Sequence, residues 1–194
     1  GMSDADRPGS LSSRLHAHSS AAMVVEDEPD IAVFMGAFFR ASGLDLVHLD
    51  PTTPEEVVQR AIADRVGCVL LDLRLRETTG FEVLEALRAE PRLAGLPVMI
   101  VSANDSKDAR ERVDALGATD FIAKPFQVKD LFARTAELLV PILAPPLDQD
   151  ALRSRLARLI RQAVRADRAA TFALLRLRLD GVVPPAYQLD GAAS

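Results

Sequence analysis

The chain has 194 residues, 48% of them hydrophobic and 26% charged, enough apolar material for a sizeable core and too much for wholesale disorder. A single cysteine, Cys68, excludes a disulfide framework and a cysteine-based zinc site, and suits a reducing compartment. The net charge of −5 is uneven: residues 21–140 hold 13 basic against 21 acidic residues (−8), whereas 148–170 hold six arginines against three aspartates (+3). An acidic body argues against non-specific nucleic-acid binding.

Residues 1–20 are Ser-rich and polar, without the apolar stretch of a signal peptide, and read as a disordered arm; Gly1 before Met2 reads as an expression scar. From 21 to 140, short apolar runs alternate with amphipathic stretches. Strands are predicted at Ala22–Val25, Leu44–Leu49, Val66–Leu71, Val98–Val101 and Phe121–Ala123. Helices are predicted at Ile31–Ala41, Pro54–Ala63, Glu82–Ala89, Lys107–Leu116 and Val128–Leu139. Gly43, Gly67 and Gly117 fall where helix ends need a residue tolerant of positive φ. Five strand–helix repeats imply crossover connections, hence a doubly wound five-stranded parallel sheet with helices on both faces.

Residues 141–147, Pro-Ile-Leu-Ala-Pro-Pro-Leu, read as a linker. The apolar run they close, Leu138–Leu147, carries three prolines and is too short and broken to span a bilayer, so the protein is expected to be cytoplasmic. Residues 148–181 read as a helix–strand extension. Its helix is Asp148–Arg168, capped by Asp148 or Asp150, and Leu175-Arg-Leu-Arg-Leu alternates like a half-exposed strand. Residues 182–194 read as a loose tail. A lone edge strand tends to be paired, which predicts a homodimer through 148–181. The six arginines suggest DNA, but no helix-turn-helix pattern accompanies them.

In such a sheet, ligands collect outside the C-terminal strand ends. There the chain places Glu26-Asp27-Glu28, Asp72, Ser102 and Lys124-Pro125. Clustered carboxylates stay ionised when a divalent cation or a lysine sits among them, and an oxygen-only donor set favours Mg²⁺. A carboxylate beside a lysine and a hydroxyl can accept a phosphoryl group.

Residues 21–140 resemble the receiver domain of two-component response regulators, which has a flavodoxin-like fold. The resemblance lies in Val24-Val-Glu-Asp-Glu-Pro, Val69-Leu-Leu-Asp72-Leu, Gly80-Phe-Glu-Val-Leu, Ile100-Val-Ser-Ala and Gly117-Ala-Thr-Asp-Phe-Ile-Ala-Lys124-Pro-Phe, in that order. It implies that Asp72 takes a phosphoryl group from a histidine of a sensor kinase or phosphotransfer protein. Asp27 and Asp72 would ligate Mg²⁺, Glu26 through water, with the Arg74 backbone carbonyl as another ligand. Ser102 and Lys124 would bind phosphoryl oxygens, Phe121 would swing inward behind Ser102, and Lys124-Pro125 would be cis. Leu75-Arg76 replaces a frequent Met-Pro pair, the one hint of a phosphorylation-independent adaptor. Arg74 and Asn104 stand where the family tunes phosphoryl lifetime. A haloacid-dehalogenase-type phosphatase needs an Asp where Arg74 stands. Residues 148–181 resemble the opening helix and strand of a GGDEF-type domain, truncated and with Arg178 at a metal-binding Asp position, so cyclase activity is not expected.

Overall fold

The computed structural model describes residues 21–41, 44–140 and 149–184. The predicted arm 1–20 and linker 141–147 lie outside them, as do Gly43, Asp148 and residues 185–194. In chain order the elements are β1 (Ala21–Val25), α1 (Pro29–Ala41), β2 (Asp45–Leu49), α2 (Pro54–Ala63), β3 (Val66–Leu71) and α3 (Gly80–Ala89). There follow β4 (Val98–Ser102), α4 (Lys107–Ala115), β5 (Asp120–Ala123), α5 (Val128–Leu139), α6 (Gln149–Ala166) and α7 (Arg168–Leu179). The strands run parallel in the order β2-β1-β3-β4-β5. This is the doubly wound, flavodoxin-like arrangement expected from the sequence.

Alternation along each strand feeds two cores. Ala22, Val24, Cys68, Leu70, Met99, Val101 and Ile122 point to the side covered by α1 and α5. Met23, Val25, Val69, Leu71, Val98, Ile100 and Phe121 point to the side covered by α2, α3 and α4. With both faces covered, the inner strands β1 and β3 are near-continuous apolar runs, whereas the edge strand β2 carries Asp45 and His48.

The extension departs from the expected helix–strand. Residues 168–179, including Leu175–Leu179, form helix α7. A five-residue strand without a sheet partner leaves its backbone groups unpaired, whereas a helix satisfies them internally. Asp167 caps the helix by accepting the Ala170 N–H at 3.0 Å, and Ala170, Ala173 and Leu177 form its buried face. Of the helix and strand on which the GGDEF-type resemblance was drawn, α6 supplies the helix and a second helix stands in place of the strand. Helix α6 buries Leu152, Leu156, Ile160 and Val164, with Leu159 and Ala163 half-buried at the edge. Asp150 lies inside its first turn rather than at the cap.

One further correction concerns a turn. Gly67 lies inside β3; the positive φ before that strand belongs to Arg65, at 51°. Gly117 does adopt φ 88°, closing α4 with bonds from its own N–H to Asp114 O and from Ala118 N–H to Val113 O. Nor does the loose tail begin at 182: Val183 is fully buried in the core beneath α1.

Candidate functional site

Glu26 and Asp27 leave the end of β1, Asp72 the end of β3 and Lys124 the end of β5, while Ser102 closes β4. Each exit is pinned by one bond continuing the sheet: Glu26 N–H to Leu49 O (3.1 Å), Asp72 N–H to Val25 O (3.0 Å) and Lys124 N–H to Ser102 O (2.9 Å). Carboxylate oxygens of Glu26, Asp27 and Asp72 lie within 4.8 Å of one another, the convergence expected for a cation site. Lys124 Nζ donates to Asp72 Oδ2 at 2.9 Å and to Glu26 Oε2 at 3.0 Å. The Lys124-Pro125 peptide is cis, as expected.

Glu26 is 2% exposed and Asp72 5%, so this charge sits largely out of water. Burial pushes the Glu26 carboxyl up to about 8, against the pull of Lys124 and with the repulsion of Asp72. Burial works against the Lys124 ammonium too, but the attraction of Glu26 and Asp72 and their hydrogen bonds outweigh it and raise its pKa. One ammonium among three close carboxylates leaves negative charge unbalanced. An oxygen-only set in that condition fits a hard divalent cation.

The supporting contacts are local. Asp72 Oδ1 accepts the Arg74 N–H at 3.0 Å, and Glu26 Oε1 accepts the Glu28 N–H at 3.1 Å. Thus Arg74 is beside Asp72, held through its amide. Ser102 is fully buried, its Oγ accepting the Asn104 N–H at 3.2 Å. Phe121 is packed inward under the Arg110 guanidinium, 4.3 Å above the ring. Leu75 is buried and Arg76 pairs with Asp50 at 3.5 Å, while Arg74 bridges to Thr79 across the loop. The loop is therefore closed without the missing proline.

Two residues have roles that the sequence reading did not assign. His48 Nε2 donates to the Glu26 carbonyl at 2.7 Å, bracing the start of the acid cluster from the neighbouring strand. Gly80 opens α3 so close to the site that a Cβ would stand 2.2 Å from the Asp72 carbonyl oxygen and 2.6 Å from Leu73 Cα. Both obstacles are backbone, so a side chain there must displace Asp72 itself. The sequence shows it as the first residue of the Gly80-Phe-Glu-Val-Leu motif, which does not reveal the backbone approach.

A family model for the response regulator receiver domain matches residues 22–136. The chain belongs to this family, and its fold and acid cluster are those of a two-component signalling receiver. It is 31% identical over 121 residues to the transcriptional regulatory protein PrrA of Mycobacterium tuberculosis, covering 62% of this chain and 50% of PrrA. It is 30% identical over 117 residues to the phosphate regulon transcriptional regulatory protein PhoB of Rhizobium meliloti, covering 60% and 50%. The chemotaxis protein CheY4 of Vibrio cholerae superposes with a TM-score of 0.55 at 21% identity, over 62% of this chain and 99% of that one, which speaks for the fold. The chain spans about half the length of the curated relatives it matches. Helices α6 and α7 lie beyond the matched span.

Proposed function

We propose that the protein is a phosphorylation switch in which Asp72 receives a phosphoryl group from a histidine of a sensor kinase or phosphotransfer protein. The carrying observation is Lys124 Nζ held between Asp72 and Glu26 at the open edge of the sheet. In the transfer, a carboxylate oxygen of Asp72 attacks phosphorus as the phosphorus–nitrogen bond of the donor breaks, and the imidazole leaves with the bonding pair. Glu26 (through water), Asp27, Asp72 and the Arg74 carbonyl are the groups that would hold Mg²⁺. Bound there, the ion supplies positive charge to the phosphoryl oxygens.

The chain's own residues do the rest. Lys124 places an ammonium against the new charge, roughly −1.5 to −2 at neutral pH. Ser102 turns its hydroxyl to a phosphoryl oxygen, giving up the Asn104 amide, and Phe121 fills the space behind it. Both sit where β4 and β5 meet α4, so the change reaches a surface partners can read. The ordered Asp72–Thr79 loop supports this reading over the phosphorylation-independent adaptor that Leu75-Arg76 suggests.

The extension contributes no catalytic group to this scheme, and we assign the protein to the cytoplasm. No described helix is long and apolar enough to cross a membrane. With the edge strand gone, the surface that would carry a homodimer through 148–181 is the exposed stripe Phe172, Leu175 and Leu179 on α7. Sedimentation showing a monomer at high concentration, with and without a phosphoryl mimic, would remove the homodimer from the scheme.

Intact-mass spectrometry after incubation with acetyl phosphate and Mg²⁺ tests the switch. One phosphoryl adduct is expected on the wild type, and none on Asp72→Asn or with EDTA. An adduct surviving Asp72→Asn would overturn the assignment.

A further inference from the structure

The end of helix α7 meets residues that flank the acid cluster in sequence, Asp30 and Phe126. Gly181, at φ 76°, turns the chain back, with Val182 N–H bonded to Leu177 O at 2.9 Å and Gly181 N–H to Arg178 O at 3.2 Å. This helix stop needs a residue tolerant of positive φ and aims the next carbonyl inward. The Val182 carbonyl accepts the Phe126 N–H at 3.0 Å, two residues beyond Lys124, and Val183 is buried behind it. One and a half turns earlier, Arg176 Nε and Nη2 donate to Asp30 Oδ1 at 2.8 and 2.5 Å. Asp30 stands three residues beyond Asp27, at the start of α1.

The two contacts therefore hold the first turn of α1, directly after the loop that carries Glu26 and Asp27, and the β5–α5 loop, which carries Lys124. Lys124 joins those same loops from inside through Glu26. Inside and outside contacts close a ring: Lys124 to Glu26, along the chain to Asp30, across to Arg176, along α7 to Val182, and across to Phe126. Relative motion of the two loops breaks at least one member.

We propose that the end of α7 is a positioning element for the phosphoryl site, with Arg176 and the Val182 carbonyl clasping the loops that present Glu26, Asp27 and Lys124. This rests on the reading of Asp72 as phosphoacceptor. The extension is thereby a part of the site's geometry, and the coupling is reciprocal: a change at Asp72 alters the docking of α7.

A built-in control exists. Two other ion pairs fasten the extension, Arg40 with Asp167 and Arg153 with Glu137. Arg40 lies ten residues beyond Asp30 on α1, roughly 15 Å away at helical rise. A purely structural role predicts that Arg176→Ala and Arg40→Ala behave alike.

The test uses the full chain as wild type, Arg176→Ala, Arg176→Lys and Arg40→Ala. The first readout is the rate of phosphorylation by acetyl phosphate at saturating Mg²⁺, which removes differences in metal affinity. The second is metal-free amide hydrogen exchange. At saturating Mg²⁺, Arg176→Ala should slow phosphorylation about three- to five-fold, the upper range for an exposed ion pair, with Arg176→Lys recovering part of it and Arg40→Ala unchanged. Exchange should accelerate in residues 26–30 and 124–128 in Arg176→Ala alone. Equal behaviour of Arg176→Ala and Arg40→Ala in exchange overturns the proposal. Should the wild type take no phosphoryl group, the phosphoacceptor reading fails by itself and the exchange comparison still decides the clasp.

Discussion

The two faces of the sheet start from the same alternating strands and are finished differently. On one, α2, α3 and α4 each bury a narrow stripe, such as Val57 and Ala61 on α2 or Ala109 and Val113 on α4, and turn a charged face to water. On the other, α1 buries Ile31, Ala32, Phe34, Met35, Gly36, Ala37, Phe38 and Phe39, residues that point all round the helix. A helix apolar on every side cannot lie at a surface. Leu152, Leu156 and Ile160 of α6 and Ala170, Ala173 and Leu177 of α7 join the same apolar cluster as Phe34, Phe38 and Phe132, giving this face a second helical layer. The extension is thus the outer layer of one core rather than an appendage. The covered face is also the one whose outer layer contacts Asp30 and Phe126, next to the acid cluster in sequence.

The largest expected effect tests that equivalence. Leu156 on α6 and Leu84 on α3 are both fully buried. Truncating either to alanine should destabilise the protein by about 2–5 kcal/mol in urea unfolding, with one transition in each case. Cys68 offers a local reporter, since it lies on the α1 side of β3 and burial pushes its thiol up to about 12. It should resist alkylation in the wild type at pH 8 and react faster in Leu156→Ala. If Leu156→Ala melts the extension separately and leaves the receiver transition and Cys68 protection unmoved, the single-core description is wrong.

Legibility in the sequence divides along the same line. The receiver strands were readable because doubly covered strands are continuous apolar runs, and Glu26, Asp27, Asp72 and Lys124 because their residue types recur at strand ends in a fixed order. The extension's second element was not. Leu175, Leu177 and Leu179 satisfy a period of two, yet Ala170, Ala173 and Leu177 satisfy the helical period. What decides between them is that, among the described residues, no strand lies beside them to pair with, and that is a tertiary fact. The run Ile31–Phe39 did carry a signal, since its apolar character all round demands a covering layer. The roles of Gly80 and Arg176 carried almost none: Gly80 stands in a motif but serves a backbone approach, and Arg176 pairs with a residue 146 positions away.

The smallest effect concerns the corner where the outer layer turns. Only Asp167 separates α6 from α7; it accepts the Ala170 N–H and pairs with Arg40 Nη2 at 2.5 Å. Asp167→Ala removes the cap and the charge and should cost about 1 kcal/mol at neutral pH. Asp167→Asn keeps an accepting oxygen and loses only the ion pair, so a few tenths of a kcal/mol is expected. The Ala170 N–H, opposed by partial burial and aided by Arg40, holds the Asp167 carboxyl below its ordinary 3.8. A depressed folded value means that the stabilisation is complete above the unfolded value and is lost as pH falls through the folded one. The gap between wild type and Asp167→Ala in urea unfolding should therefore hold constant from pH 7 to 5 and narrow only below 3.8. A gap that closes between pH 7 and 5 would show that the aspartate is not the group stabilising the corner. In Asp167→Ala, amide exchange should accelerate at residues 168–171 while the amides of α2, α3 and α4 keep wild-type rates, because the corner belongs to the outer layer of the opposite face.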